Sequence, residues 1–563
     1  MKLLWLDLNC SYAHSSLALP ALHAQMMDRT DIEWDIVSAT VNENTGRVVE
    51  EIYRRQPDLL AATNWLFTHE QLLHLISRVK ALLPQCVIVL GGPEFLGDNR
   101  DFLLSHRFVS AVFRGEGEES FPQWMQVWDQ PTDAWKDITG LCYLDEQGMY
   151  HDQGLARVKE FNRLVPPEKS PFFNWSKPFV QLETTRGCFN TCAFCVSGGE
   201  KPVRTLSLEA IAERLKLIHQ HGIRNVRMLD RTFNYQTRRA KELFDLFRRY
   251  PDICFHLEIH PALLSDELKE ELARMPKGLL HLEAGIQSLK EEVLQCCRRI
   301  GKLADALEGL RYLCSLDNME THADLIAGLP LYHLSEIFED VHTLAAYRAG
   351  EIQLESLKLL PGTEMRRRAE ELGIRYAPLP PYEVLQTREI SAGELQQAHH
   401  LSRLLDFYYN TPTWQEIMRT LMLAHPDFLE SFLHHLVQMD VIDTPLSLER
   451  RGLILYAFCK EHYPAELTQV SIAWIEAGMS LKKAPAERVR TKHQQPPARW
   501  DVVYGSYRPD LRLCFLPTDD EGHGYWWGFE SEIQKIQPVF KAAFHGETTA
   551  NTFTIIQNIR VKN

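Results

Sequence analysis

Apolar and polar positions alternate in short blocks through the first quarter of the chain. Residues 3–8, 34–38, 59–63, 87–90 and 111–113 are apolar or β-branched runs of strand length. Between them, residues 15–27, 45–55 and 69–83 carry apolar side chains at helical spacing. Strands that alternate with helices pair in parallel through right-handed crossovers, so the pattern predicts a doubly wound sheet. Ligands of such sheets sit at the carboxyl ends of the strands. Those ends here read Asn9-Cys10-Ser11-Tyr12, Thr63-Asn64-Trp65, Gly91-Gly92-Pro93-Glu94 and Gly115-Glu116-Gly117-Glu118, all polar or glycine-rich.

A connector follows, with Trp135, a short strand at 141–144 and breaks at Pro166-Pro167 and Pro171. A second alternating block then places strands at 179–184, 225–229, 254–259, 279–284, 321–326 and 352–357. The helix 208–219 has Leu208, Ile211, Leu215 and Ile218 on one face and is stopped by Gly222. Six βα units predict a partial (βα)6 barrel with its active residues on the carboxyl-end loops. Pro378-Leu379-Pro380-Pro381 marks a further boundary; 391–481 reads as mainly helical, and short aromatic β-like runs begin at Trp500. The expected fold is α/β: a doubly wound, Rossmann-like domain at 1–135, a connector at 136–175, a TIM-type partial barrel at 176–377, and a mostly helical domain at 378–563.

Composition narrows the setting. The chain has 61 basic and 75 acidic residues, a net charge of −14, which argues against a protein that coats nucleic acid. No apolar run approaches the ~20 residues that cross a bilayer. Asp7 interrupts the first apolar stretch and no small-residue cleavage site follows it. The expected location is the cytoplasm, where thiols stay reduced and the 12 cysteines serve as ligands or core residues.

Three of those cysteines, Cys188, Cys192 and Cys195, fall within eight positions at C-x3-C-x2-C spacing. Three soft thiolates on one loop can hold three irons of a [4Fe–4S] cube and leave the fourth open. Zinc would want a fourth Cys or His at suitable spacing, and no convincing one follows nearby. At these residues the chain resembles the radical S-adenosylmethionine (SAM) superfamily. Phe194 before the last cysteine fits its pattern, and Gly198-Gly199-Glu200 resembles the segment whose backbone receives the methionine amino group. The resemblance implies that Glu258 binds the ribose hydroxyls and Arg299 the SAM carboxylate, with Ser288 in Gly285-Ile286-Gln287-Ser288 also at SAM. The segments from Asp324 to Pro330 and from Leu357 to Thr363 resemble the adenine-side and closing strands, so the likeness runs over about 175–375. It implies reductive cleavage of SAM to methionine and a 5′-deoxyadenosyl radical, with electrons from a donor such as flavodoxin or ferredoxin.

The doubly wound domain in front of such a barrel resembles the cobalamin-binding group of that superfamily. Gly91, Gly92, Gly115, Glu116 and Gly117 would let a flat corrin approach the backbone, and Thr63 stands where relatives contact the nucleotide tail. A D-x-H-x-x-G segment is absent, which leaves the cobalt's axial ligand open; His14 reads as a solvent or core histidine. A Rossmann-like module that only packs on the barrel is the bland alternative, with Glu116 and Glu118 serving a helix N-terminus.

The expected activity is methyl transfer to an unactivated carbon of a small-molecule or peptide substrate. Cobalamin-dependent cyclisation or rearrangement, or a cobalamin or redox sensor, stay open beside it; membrane or nucleic-acid partners are not expected. The carboxy-terminal third is expected to pack across the barrel mouth. Cys254, Cys296, Cys297, Cys314, Cys459 and Cys514 read as structural, Arg366-Arg367-Arg368 as a solvated face, and 488–499 as a basic linker. His399-His400 and His434-His435 do not make metal sites by themselves.

Overall fold

The computed structural model describes residues 1–14 and 16–479, together with the backbone of four later strands. The stretch 488–499 and the side chain of Cys514 lie outside the described residues. The amino-terminal elements are β1 (Lys2–Asn9), α1 (Ala18–Ala24), β2 (Glu33–Thr40), α2 (Thr45–Arg55), β3 (Leu59–Thr63) and α3 (His69–Leu82). They continue as β4 (Val87–Gly91), α4 (Arg100–Ser105), β5 (Ala111–Phe113), α5 (Gly117–Trp124), β6 (Leu141–Leu144) and β7 (Tyr150–Asp152). The sheet order is β2-β1-β3-β4-β5-β6-β7, parallel through β5, with β6 and β7 antiparallel at the edge.

The strands are apolar on both faces because helices cover both. Leu4, Leu6, Ile88 and Leu90 join Ile52, Leu72 and Ile76 in one core. Leu3, Trp5 and Val89 join Leu19, Phe121, Trp124 and Trp135 in the other. The chain turns from β1 to β2 on one side and to β3 on the other, so the strand order reverses there, where such sheets open a crevice. The first helix is shorter than the expected 15–27. Pro20 fits only a first turn, so the helix starts just before it.

The second block comprises β8 (Val180–Leu182), the short ladder of β9 (Thr185–Arg186) and β10 (Arg204–Thr205), α6 (Leu208–Gln220), β11 (Asn225–Met228), α7 (Thr237–Phe247) and β12 (Cys254–Ile259). Then come α8 (Asp266–Ala273), β13 (Leu280–Gln287), α9 (Glu291–Cys296), α10 (Leu303–Ser315), β14 (Glu320–Ala327), α11 (Leu334–Ala346) and β15 (Glu351–Ser356). The order β15-β14-β13-β12-β11-β8 follows the sequence and leaves β8 and β15 as edges, an open six-stranded barrel. In β13, Leu280, Leu282, Ala284 and Ile286 are buried, while His281, Glu283, Gly285 and Gln287 occupy the opposite face. This strand runs past its expected end at 284, because β14 keeps pairing as far as Gln287 through a register shift after Gly285. Ser207 caps α6 by accepting from the Ala210 N–H, and Gly222 ends that turn at φ +74°.

After α12 (Glu364–Arg367), β16 (Arg375–Tyr376) and β17 (Val384–Gln386) form a hairpin around the Pro380-Pro381 break. The helices α13 (Ala392–Leu404), α14 (Pro412–Ala424), α15 (Phe428–Gln438), α16 (Leu448–His462) and α17 (Leu467–Glu476) follow. Last come four antiparallel strands, β18 (Arg512–Pro517), β19 (Gly524–Phe529), β20 (Pro538–His545) and β21 (Thr552–Gln557). The chain divides into two compact units: Met1–Ile337 with Leu354–Gln396, and Phe338–Gln353 with Gln397–Asn563. The hairpin after residue 378 thus belongs to the first unit. In the second, Gly452 lets α16 lie against Trp414 and Trp474; a Cβ there would fall 2.5 Å from the Trp414 ring.

Arg214 of α6 and Glu168 of the connector form a buried pair, 2.9 Å apart, with side chains 4% and 0% exposed. Replacing one partner leaves the other charge buried alone. Arg214→Met should lower unfolding free energy by about 3–5 kcal/mol, and adding Glu168→Leu should recover most of the loss, read from urea midpoints.

Candidate active site

The site is built outward from one buried carboxylate. Asp230, just beyond β11, accepts from the Thr184 N–H at 2.7 Å, the Thr185 N–H at 2.9 Å and the Thr184 hydroxyl. Burial pushes its pKa up while these hydrogen bonds pull it down. The clamp fixes the end of β8 and the start of β9. The β9–β10 ladder then pairs Arg186 with Arg204 and closes residues 187–203 into a loop. Within it the Cys188 N–H donates to the Glu200 carbonyl at 3.1 Å and the Gly199 N–H to the Asn190 carbonyl at 2.8 Å. Gly198 passes so close that a Cβ would lie 2.3 Å from the Cys192 carbonyl, so no other residue fits without moving the loop.

Cys188, Cys192 and Cys195 come together around a cavity of about 190 Å³ that Phe194 and Gly198 also line. None of the three is in a disulfide. The Asn190 N–H donates to the Cys188 sulfur at 3.4 Å, and Arg299 donates to the Cys192 sulfur at 3.6 Å. Burial raises the Cys192 and Cys195 pKa values, against the Arg299 charge at the first and a backbone N–H of Ser197 at the second. Arg299 also donates to the Gly285 carbonyl, which seats it on β13. Glu258, Glu283 and Asp324 face the same cavity from β12, β13 and β14. Burial pushes Glu258 up to about 7, offset in part by Arg231. His260 is driven down to about 3 by burial and by Arg299, so its ring is neutral.

Two side chains in this cavity wall carry buried nitrogens without a partner: Asn190 at Nδ2 and His260 at both ring positions. Unmet polar groups beside three soft sulfurs suit a site that closes around a cluster and a polar ligand. Ser288 stands apart. It is fully buried, its hydroxyl accepts the Lys290 N–H at 3.1 Å, and it is not among the lining residues. The Glu200 side chain also turns away, to Arg204 at 2.7 Å and Arg157 at 3.1 Å.

A larger cavity of about 570 Å³ lies at the carboxyl ends of the amino-terminal sheet. Thr63, Gly91, Gly92, Gly115, Glu116 and Gly117 line it from the sheet, and Gln181, Ser197, Glu200 and Arg231 from the barrel. Gly92 has φ +112° and a Cβ there would sit 2.7 Å from the Asn64 carbonyl, so only glycine lets the loop after β4 pack this closely on the loop after β3 at the cavity edge. That cradle fits a large flat ligand. His14 is exposed, hydrogen-bonded to Ser11 at 2.8 Å, and not among the lining residues.

Glu116 both lines this cavity and ties it to the cysteine loop. Its carboxylate takes two hydrogen bonds from Arg204, at 2.6 and 2.7 Å, and one from the Val158 N–H at 2.6 Å. Burial alone would raise its pKa, but these bonds outweigh it and hold the carboxyl below its ordinary value. Arg186 pairs in turn with Glu118 at 2.6 Å and Glu183 at 2.7 Å. The acidic loop after β5 is therefore bonded to both strands that bracket the cysteines.

Asn190, Arg231 and His260 were not singled out by sequence reasoning. Arg231 lines both cavities, 3.7 Å from Glu258, and follows directly on the clamp residue Asp230. The signal for it was its place at the carboxyl end of a barrel strand.

Comparison with known proteins finds three matching family models. Residues 8–124 match the B12 binding domain, 182–344 the radical SAM superfamily, and 370–473 a protein of unknown function family, DUF4080. The chain is thus a B12-binding radical SAM protein with a DUF4080 carboxy-terminal region, and its cofactors are cobalamin, a [4Fe–4S] cluster and SAM. It is similar to the cobalamin-dependent radical SAM methyltransferase TokK of Streptomyces tokunonensis, 21% identical over 61% of this chain and 52% of the relative. It is also similar to the anaerobic magnesium-protoporphyrin IX monomethyl ester cyclase of Cereibacter sphaeroides, 21% identical over 53% of this chain and 51% of the relative. The chain therefore spans about half the length of these curated relatives. Among solved structures, the cobalamin-dependent SAM radical enzyme OxsB shares the fold with a TM-score of 0.60 at 15% identity, covering 82% of this chain and 75% of that one. Among the described residues no helix is long and apolar enough to cross a membrane.

The raised pKa of Glu258 has a measurable consequence. Between about 4.5 and 7 the folded, cofactor-free chain keeps a proton that the unfolded chain has released, so this group favours unfolding increasingly as pH rises through that window. Glu258→Gln should leave the melting temperature unchanged near pH 4.5 and raise it above pH 7, as differential scanning calorimetry would read.

Proposed function

We propose that this protein is an enzyme that reductively cleaves SAM and, with cobalamin, transfers a methyl group to an unactivated carbon of a small-molecule or peptide substrate. The observation that carries the reading is the shared wall: Arg231 lines both the cysteine cavity and the glycine-lined cavity, so chemistry begun in one has its neighbour in the other. When bound, the reduced cluster supplies the electron that breaks a C–S bond of SAM, and cobalamin supplies a transferable methyl group.

The residues have separable tasks. Cys188, Cys192 and Cys195 would hold three irons. Arg299 stabilises charge on the Cys192 sulfur, and the Asn190 N–H does so at Cys188. Glu258 offers a carboxyl that accepts from hydroxyl groups, and neutral His260 offers ring nitrogens at the buried wall. Gly198 lets the loop close on itself, and Gly199, with open space where a Cβ would be, leaves its backbone bare for a polar group. The sheet-end glycines Gly91, Gly92, Gly115 and Gly117 add no side-chain bulk to the cavity wall, which leaves room for the corrin.

The named relatives support methyl transfer without settling it, since TokK is a methyltransferase and a relative of equal identity is a cyclase. Ring closure is the second reading, favoured by that cyclase. An electron donor of the flavodoxin or ferredoxin kind would serve either.

The test is anaerobic turnover of the reconstituted full chain with methyl-labelled SAM, a strong reductant and a small-molecule cell extract. Label in a new extract compound together with 5′-deoxyadenosine supports methyl transfer; deoxyadenosine with no label transferred favours cyclisation. Cys192→Ala should bring iron and deoxyadenosine to background while leaving the corrin absorption bands in place. Loss of the corrin bands in that variant, or full deoxyadenosine formation by it, would overturn the separation of the two sites.

A further inference from the structure

Three neighbouring barrel strands repeat one pattern: His256-Leu257-Glu258 in β12, His281-Leu282-Glu283 in β13 and His322-Ala323-Asp324 in β14. Leu257, Leu282 and Ala323 are buried on the far face. Side chains two apart share a face of a strand, so the three acids that line the cysteine cavity have a layer of three imidazoles beneath them, toward the strand starts. The register pairs His256 with His281, His281 with Glu320, and Glu283 with His322. The His256 and His281 rings stack at 4.6 Å, and the His281 and His322 rings meet edge to face at 4.0 Å.

Around His281 this becomes a ligand set. His281 Nδ1 lies 3.8 Å from Glu320 Oε2, and one donor atom each from His281, Glu320 and His322 falls within 4.8 Å of the other two. Donors bound to one ion at about 2.0–2.2 Å stand about 3–4 Å apart, so small rotamer shifts close the set. The donors are nitrogen and oxygen without sulfur, which suits a zinc-class ion. His256 supports the set: its Nε2 is 2.7 Å from Glu283 Oε2, which holds the ring flat against His281. Glu320 is largely exposed, giving the ion a route in from solvent.

We infer that His281, Glu320 and His322 bind one divalent ion of the zinc class at the base of the barrel, separate from the cysteine cavity. Such an ion would cross-link the starts of β13 and β14 beneath the carboxylate layer. Two histidines and a carboxylate leave at least one position for water.

The test uses the full chain reconstituted with iron, sulfide and cobalamin, exposed to Zn²⁺, gel-filtered and analysed by plasma mass spectrometry. About one zinc per chain is expected in addition to the cluster iron. Glu320→Gln, an exposed change that spares the fold, should weaken zinc binding by about tenfold or more in chelator competition. The His281→Ala/His322→Ala variant should lose zinc, and circular dichroism checks that it stays folded. Replacing Cys188, Cys192 and Cys195 together with Ala should remove iron yet keep zinc, which tests this site independently of the proposed reaction. The inference is overturned if the reconstituted protein takes up no zinc, if Glu320→Gln binds it as tightly as the parent, or if the triple cysteine variant loses it.

Discussion

The geometry of the active region depends on the buried side chain of Asp230. One carboxylate takes the N–H groups of Thr184 and Thr185 and so joins the loop after β11 to the strand that launches the cysteines. Without it those two N–H groups would be buried without partners, and each would cost about 1–3 kcal/mol. The loop itself has few apolar anchors. Its shape follows from this clamp, from the β9–β10 ladder and from backbone bonds such as Cys188 to Glu200. A carboxylate held by three hydrogen bonds has little freedom, and that rigidity is passed to sulfurs that must present a fixed triangle.

The two cavities share one use of glycine. At Gly198 the absence of a side chain lets one part of the cysteine loop press on another, where a Cβ would strike the Cys192 carbonyl. At Gly92 the positive φ and the nearby Asn64 carbonyl do the same for two loops at the end of the amino-terminal sheet. In both places the residue serves the fold of the wall, and the wall in turn shapes the cavity.

Much of the fold was legible because its signals are local. Apolar runs at 59–63 and 111–113 coincide with β3 and β5, since strands covered on both faces leave no doubt about where apolar residues start and stop. The cysteine triplet was legible for the same reason, its spacing being set within one loop. What escaped depends on register. Asp230 and Thr184 are 46 positions apart, and the three His-x-acid strands become a layered lumen only when β12, β13 and β14 are aligned. Glu116 was placed at the corrin cavity by its motif, yet its carboxylate is spent on Arg204 and Val158, partners that no local pattern announces. Ser288 shows the converse: a residue adjacent to a family-like segment that turns into the core and caps its own turn.

The joint between the amino-terminal sheet and the cysteine loop is made of guanidinium–carboxylate pairs, with Arg204 and Glu116 each only 15% exposed. Pairs shielded to that degree feel dissolved salt weakly. Protons are another matter: a carboxyl held below its ordinary value keeps its partners until the medium turns acid enough to neutralise it, and then releases them. The seam is therefore little troubled by salt and loosened by acid: once Glu116 takes up a proton it lets go of Arg204, and the corrin-side loop loses its hold on the strand that closes the sulfur-bearing one.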